Sequence, residues 1–99
     1  MYVIREVLSC KPGRVGDLTK RFKVVSSVIE RQGHKPLRLL TDLSGEPFWT
    51  LVVEAETKSV AAFLDLEASL MDDPEAREAM TGYHDLLQQG RREIYRLVQ

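Results

Sequence analysis

The 99-residue chain is 43% hydrophobic and 29% charged with a net charge of −1, a balance that excludes both a disordered polyelectrolyte and a bundle of membrane spans. A chain this long forms one domain, residues 1–99, that buries about two-thirds of its unfolded surface and leaves nothing over for a second. With a single cysteine, Cys10, there is no intrachain disulfide and no multi-cysteine metal site, which fits a reducing compartment.

The start, Met1-Tyr2-Val3-Ile4-Arg5-Glu6, lacks the basic region and long apolar run of a signal peptide, so the expected location is the cytoplasm. Residues 1–50 carry nine Lys/Arg against five Asp/Glu, and residues 51–99 carry five against ten. Interleaved elements of one small domain bring such opposite charges together on a common surface.

Tyr2 to Cys10 is rich in β-branched and aromatic residues and stops at Lys11-Pro12-Gly13, which predicts a strand ending in a turn. Val15, Leu18, Phe22, Val25 and Ile29 then recur at alternating spacings of three and four, the stripe of an amphipathic helix, which Gly33 ends and Pro36 keeps from resuming. Leu37 to Leu43 alternates apolar and polar, Ser44-Gly45-Glu46-Pro47 turns the chain, and Phe48 to Glu56 returns as a strand. Thr57 or Ser59 caps a second helix carrying Val60, Phe63, Leu64 and Leu70. Asp73-Pro74-Glu75 restarts a third, expected to run through Ala76, Ala79, Met80, Tyr83 and Leu87 until Gly90 closes it. Arg92 to Val98 makes the last strand.

The order is βαββααβ. Right-handed crossovers turn it into an α+β, ferredoxin-like sandwich, an antiparallel sheet of order 4-1-3-2 with all helices on one side. The expected helix-facing side of the third strand is Trp49, Leu51, Val53 and Ala55, yet Phe48, Thr50 and Val52 make the opposite side apolar too. The first strand likewise has Tyr2, Ile4 and Leu8 on one side, broken by Glu6, and Val3 and Val7 on the other, broken by Arg5. A sheet open to water alternates more cleanly, so the second side is expected to pack on another copy of the chain.

The strand leading into Cys10-Lys11-Pro12-Gly13, the Gly45 hairpin before Pro47-Phe48-Trp49, and the closing Gly90-Arg91-Arg92-Glu93-Ile94-Tyr95 resemble the dimeric α+β-barrel superfamily over nearly the whole chain. The likeness is to its NIPSNAP-like and antibiotic biosynthesis monooxygenase-like branches. It implies a homodimer whose two sheets face each other as a barrel, with a ligand cleft between sheet and helices in each protomer. Relatives of this kind include cofactor-independent oxygenases of polyketide-like aromatics, haem-degrading enzymes and ligand sensors. The haem-degrading ones use a helix histidine, a strand tryptophan and an asparagine near the first strand. His84 and Trp49 answer to two of these, but the chain contains no asparagine, so haem turnover is not expected.

Three residues therefore stand out. Tyr83 sits at the centre of the expected third-helix stripe, and His84 lies about 100° round from it, at the border of that stripe. Trp49 either fills the core or walls a pocket. The expected function is the binding of a small apolar or aromatic molecule near Trp49, Tyr83 and His84. One version is a cofactor-independent oxygenase with His84 as the base, and the alternative is a non-enzymatic dimerisation or ligand-sensing module.

Other chemistry is weakly signalled. Cys10 has no histidine and carboxylate at hand to act as a nucleophile, and His34 follows a helix cap. Gly13-Arg14-Val15-Gly16 opens a helix beside Lys11 but lacks the phosphate-loop pattern, and Pro47-Phe48-Trp49-Thr50 lacks the base-stacking motif of RNA-binding domains with this topology. No cofactor, metal, nucleic acid or membrane partner is expected.

Overall fold

A computed structural model describes the whole chain, Met1–Gln99. Its central strand β1 (Tyr2–Cys10) is followed by α1 (Val15–Arg31), β2 (Arg38–Thr41), β3 (Thr50–Thr57), α2 (Val60–Asp72), α3 (Pro74–Ala79), a 3-10 turn (Tyr83–Leu86) and β4 (Leu87–Arg96). The strands are ordered β2-β3-β1-β4 and every neighbouring pair is antiparallel, the topology expected from the crossovers. The molecule is only 17 Å thick against 35 × 34 Å across, one sheet plus one helix layer, so one side of the sheet carries no helix.

The core lies between these layers. Leu8 and Cys10 of β1, Leu51 and Val53 of β3, Leu18 of α1 and Leu86 form one buried cluster, with Phe22, Leu37, Leu39 and Tyr83 packed against it. Of the stripe read from the sequence, Leu18, Val25 and Ile29 are buried on α1 and Val15 and Phe22 partly so, and Val28 is buried beside them. That helix ends as expected: Gly33 adopts φ +88°, while the amides of Gln32 and His34 donate to the carbonyls of Val28 and Ile29.

Ser59 caps α2, its Oγ accepting the Ala62 amide at 3.0 Å. Ser59→Ala should cost roughly 1 kcal/mol, and Ser59→Asn should restore most of it, as read by urea denaturation. Equal stability of all three proteins would show that the cap contributes nothing. Asp73 caps α3 in the same way through the Ala76 amide, with Pro74 in the first turn where its missing N–H is harmless.

The third helix is shorter than its stripe suggested. It ends at Ala79, well before Tyr83 and Leu87, because Gly82 takes φ +73° and turns the chain. Arg21 of α1 donates to the carbonyls of Ala79 and Thr81, which satisfies acceptors that a continuing helix would have used. Tyr83 and His84 therefore stand on a 3-10 turn. Gly90 does not end a helix either. It lies inside β4, which starts at Leu87 instead of Arg92, and it pairs with Leu8, where an added Cβ would come within 3.0 Å of the leucine's Cδ2. The hairpin strands are also displaced: β2 is only Arg38–Thr41, and β3 begins at Thr50, leaving Phe48 and Trp49 outside it.

The helix-free side of the sheet has two levels. At one, Arg38 of β2, Glu54 of β3, Arg5 of β1 and Glu93 of β4 form a row of alternating charge across all four strands, joined by contacts of 3.8, 3.0 and 3.7 Å. At the next, Leu40, Val52 and Val7 lie side by side with Arg91. Val7 and Val52 are buried within a single chain. The loop between β2 and β3 reaches over this side, because Glu46 pairs with Arg91 on the far strand at 3.2 Å and the Pro47 carbonyl accepts from Thr50 Oγ1.

Candidate functional site

A cleft of about 760 Å³ opens between the helix-facing side of β1 and β4 and the overlying ends of α2 and α3. Glu6, Leu8 and Arg92 supply its floor, Phe22 and Val25 of α1 one wall, and Met71, Met80, Tyr83 and His84 are among the residues of the rim. A smaller pocket shares Glu6, Phe22, Val25 and Glu67 and continues towards Ile4, Val53 and Phe63. The lining is mostly apolar, with a few polar groups that converge from different elements, the composition of a small-molecule site.

The expected pair is brought together. The rings of Tyr83 and His84 lie 4.0 Å apart, centroid to centroid, tilted by 34°. Tyr83 is half-buried against the core while His84 is exposed, so the tyrosine holds one face of the imidazole and leaves the rest open. The termination at Gly82 sets this geometry. Had α3 continued, successive residues would have diverged by about 100° round a helix.

Trp49 is placed elsewhere. It precedes β3 with φ +69°, is 41% exposed, and lines neither of the two pockets described. Its carbonyl accepts the Cys10 amide, so its backbone extends the sheet while its side chain lies off the helix-facing stripe of Leu51 and Val53. Trp49 fluorescence is thus a monitor of the hairpin loop and not of the cleft.

The floor contains a group that the sequence reading did not single out. Arg92 donates through Nε to Glu6 and through Nη2 and Nη1 to the two oxygens of Glu67, at 2.6 and 3.3 Å, while its guanidinium stacks 5.1 Å from the Phe63 ring centre. The bonds to Glu67 first, and then those to Glu6, hold its proton more firmly than an ordinary arginine's. The signal was present in Glu6, the lone charge on the inward stripe Tyr2, Ile4 and Leu8, whose cross-strand partner is Arg92.

The remaining candidates separate from the cleft. Cys10 is 1% exposed, and burial, aided by the charge of Asp42, pushes its thiol pKa up, the reverse of what a nucleophile needs. A water-soluble disulfide reagent should label Cys10 no faster than the chain unfolds. Labelling at the rate of a free thiol would contradict this burial. Arg14, in the Gly-rich turn, is exposed and paired with Asp17 at 3.1 Å. His34 is exposed just beyond the α1 cap.

No protein-family model matches the sequence, and no curated protein matches it. Solved structures do. An uncharacterised NIPSNAP-like domain protein from Burkholderia xenovorans superimposes with a TM-score of 0.80 over 99% of this chain and 85% of its own, at 17% identity. The chain has the fold of NIPSNAP proteins and antibiotic biosynthesis monooxygenase-like proteins.

A candidate antibiotic biosynthesis monooxygenase from Nitrosomonas europaea shares this fold at a TM-score of 0.72 and 15% identity, each chain covered in full. MhuD, in a structure with two manganese protoporphyrin IX molecules per active site, gives 0.73 at 19% identity, covering 100% of this chain and 96% of its own. Of the two residues expected to answer to a haem-degrading constellation, only His84 faces the cleft here. Shared architecture at these identities fixes the scaffold and leaves the chemistry to the residues themselves.

Proposed function

We propose that this chain is a homodimeric, cytoplasmic NIPSNAP-fold protein that binds a small apolar or aromatic molecule in the cleft between sheet and helices. The observation that carries this is the cleft itself. Leu8, Phe22, Val25, Met71, Met80 and Tyr83 surround about 760 Å³ of open space that side chains have left unfilled. A protein that used the fold only for dimerisation through the helix-free side of the sheet has no use for an apolar cleft on the opposite, helix-covered side.

His84 and Arg92 give the cleft its polar address. In the oxygenase version of this reading, His84 takes the proton from an electron-rich aromatic ligand, and the apolar walls exclude water from the anion as it meets dioxygen. Tyr83 fixes one face of the imidazole, and the other ring edge is open to the cleft.

The test is a titration with a panel of bicyclic and tricyclic aromatics, followed by methyl NMR of Met71 and Met80. Saturable shifts are expected at these methyls, and Tyr83→Ala should alter the order of affinities across the panel. Loss of Tyr83 should also destabilise the fold, by roughly 3 kcal/mol if the ring is as well packed as its core contacts suggest. If no compound shifts either methyl saturably while Tyr83→Ala merely destabilises, the cleft is not a ligand site.

A further inference from the structure

Two carboxylates share one guanidinium on the cleft floor, so the cluster of Glu6, Glu67 and Arg92 holds one negative charge more than it can pair. The two acids are held unequally. Glu6 is the cross-strand partner of Arg92 in the sheet and has 23% of its side chain exposed. Glu67 comes from α2, whose Phe63 ring also stacks on Arg92, and its side chain is 40% exposed. A rotation of Glu67 alone returns it to water, while Glu6 remains on Nε. The two terminal nitrogens of Arg92 would then face the cleft as an empty fork.

That fork matches one kind of ligand. A planar carboxylate places two oxygens where Glu67 now places its own, so the exchange is charge for charge and the pairing of Arg92 is preserved. What the newcomer adds is an apolar body buried against Leu8, Phe22, Val25, Met71 and Met80. A neutral molecule of the same shape cannot make the exchange, since removing Glu67 would leave Arg92 half-paired. It is confined to the outer part of the cleft.

Resting on the reading of the cleft as a ligand site, we infer that Arg92 is its acid-recognising residue and Glu67 a built-in competitor, and that the preferred ligand is an aromatic or otherwise apolar carboxylic acid. Glu67 occupies the ligand's place until an acid with enough apolar surface displaces it.

The experiment compares 2-naphthoate with 2-naphthamide, which differ in charge and hardly in shape, by fluorescence anisotropy against the wild-type chain, Glu67→Gln and Arg92→Gln. Naphthoate should bind wild type about tenfold more tightly than naphthamide, and Glu67→Gln should tighten naphthoate by a further factor of about ten while moving naphthamide less than twofold. In Arg92→Gln the two probes should bind alike. The Glu67 side chain is only part-buried and glutamine keeps its size and one acceptor oxygen, so Glu67→Gln stays folded even if Arg92→Gln does not. If naphthoate and naphthamide bind wild type equally, or gain equally in Glu67→Gln, acid recognition by Arg92 is overturned while the cleft remains a ligand site. If neither probe binds any of the three proteins, the ligand-site reading falls and the role of Arg92 with it.

Discussion

Leu51→Ala should lower the free energy of unfolding by roughly 2–5 kcal/mol, the cost of a large buried side chain plus the cavity that it leaves. Leu51 is fully buried on β3, between β1 and β2, and belongs to a central cluster of six buried residues. Only 15 of the 99 residues are buried, so few side chains are available to offset a loss at the centre. A domain of ordinary stability, about 5–15 kcal/mol, would lose a large share of it. Urea denaturation of Leu51→Ala beside Leu43→Ala is the check. Leu43 is 98% exposed in the hairpin loop, and its removal should stay within about 0.5 kcal/mol. Comparable midpoints for the two variants would mean that the core has been misplaced.

The second large effect concerns assembly. Leu40→Glu should turn a dimer of twice 11.3 kDa into a monomer with little loss of fold, as light scattering and denaturation would report together. Leu40 lies on the helix-free side of the sheet beside Val52 and is 38% exposed, so an acid there meets water in the monomer but is stripped of it between two sheets. An unpaired charge so buried costs several kcal/mol, which raises the dissociation constant by roughly a hundredfold or more. Val52→Asp is the less selective choice. Val52 is already 8% exposed within one chain, so an acid there should unfold the protomer before it reports on the dimer. A wild-type chain that scatters as 11.3 kDa at high micromolar concentration would remove the homodimer from the proposed function.

The order of elements and of strands was legible in the sequence because each rests on strong local signals. The α1 stripe, Gly33, and the Asp73-Pro74 pair each have one physical reading, and right-handed crossovers leave little freedom in the sheet. The end of α3 was missed although Thr81-Gly82 signals a stop as Gly33 does, since Tyr83 and Leu87 happened to fall at helical spacing and outweighed it. Gly90 misled for a related reason. A glycine can stop a helix or make room in a strand, and only the pairing with Leu8 shows which. Trp49 was assigned by alternation to a strand that begins one residue later, where a left-handed backbone breaks the alternation. Tyr83 and His84 stand out in the sequence as neighbours at the edge of a stripe and both border the cleft, but the Glu6–Arg92–Glu67 cluster joins residues up to 86 positions apart, and no spacing in the sequence reports that.

The two outermost strands also determine what the molecule does not do. Sheets with bare edges recruit further strands and grow into fibrils, because every unpaired amide and carbonyl is a template. Here one edge, β2, is only four residues long, with Pro36 just before it and Pro47 in the loop that follows. The other, β4, carries Arg91, Arg92, Glu93 and Arg96, and a like strand laid alongside would have to seat these charges against its own. Open-ended polymerisation is thereby disfavoured at both ends of the sheet. The chain can then be held at high concentration with its backbone edges protected, and the proposed contact between copies is left to the broad side of the sheet, a surface that one partner would cover.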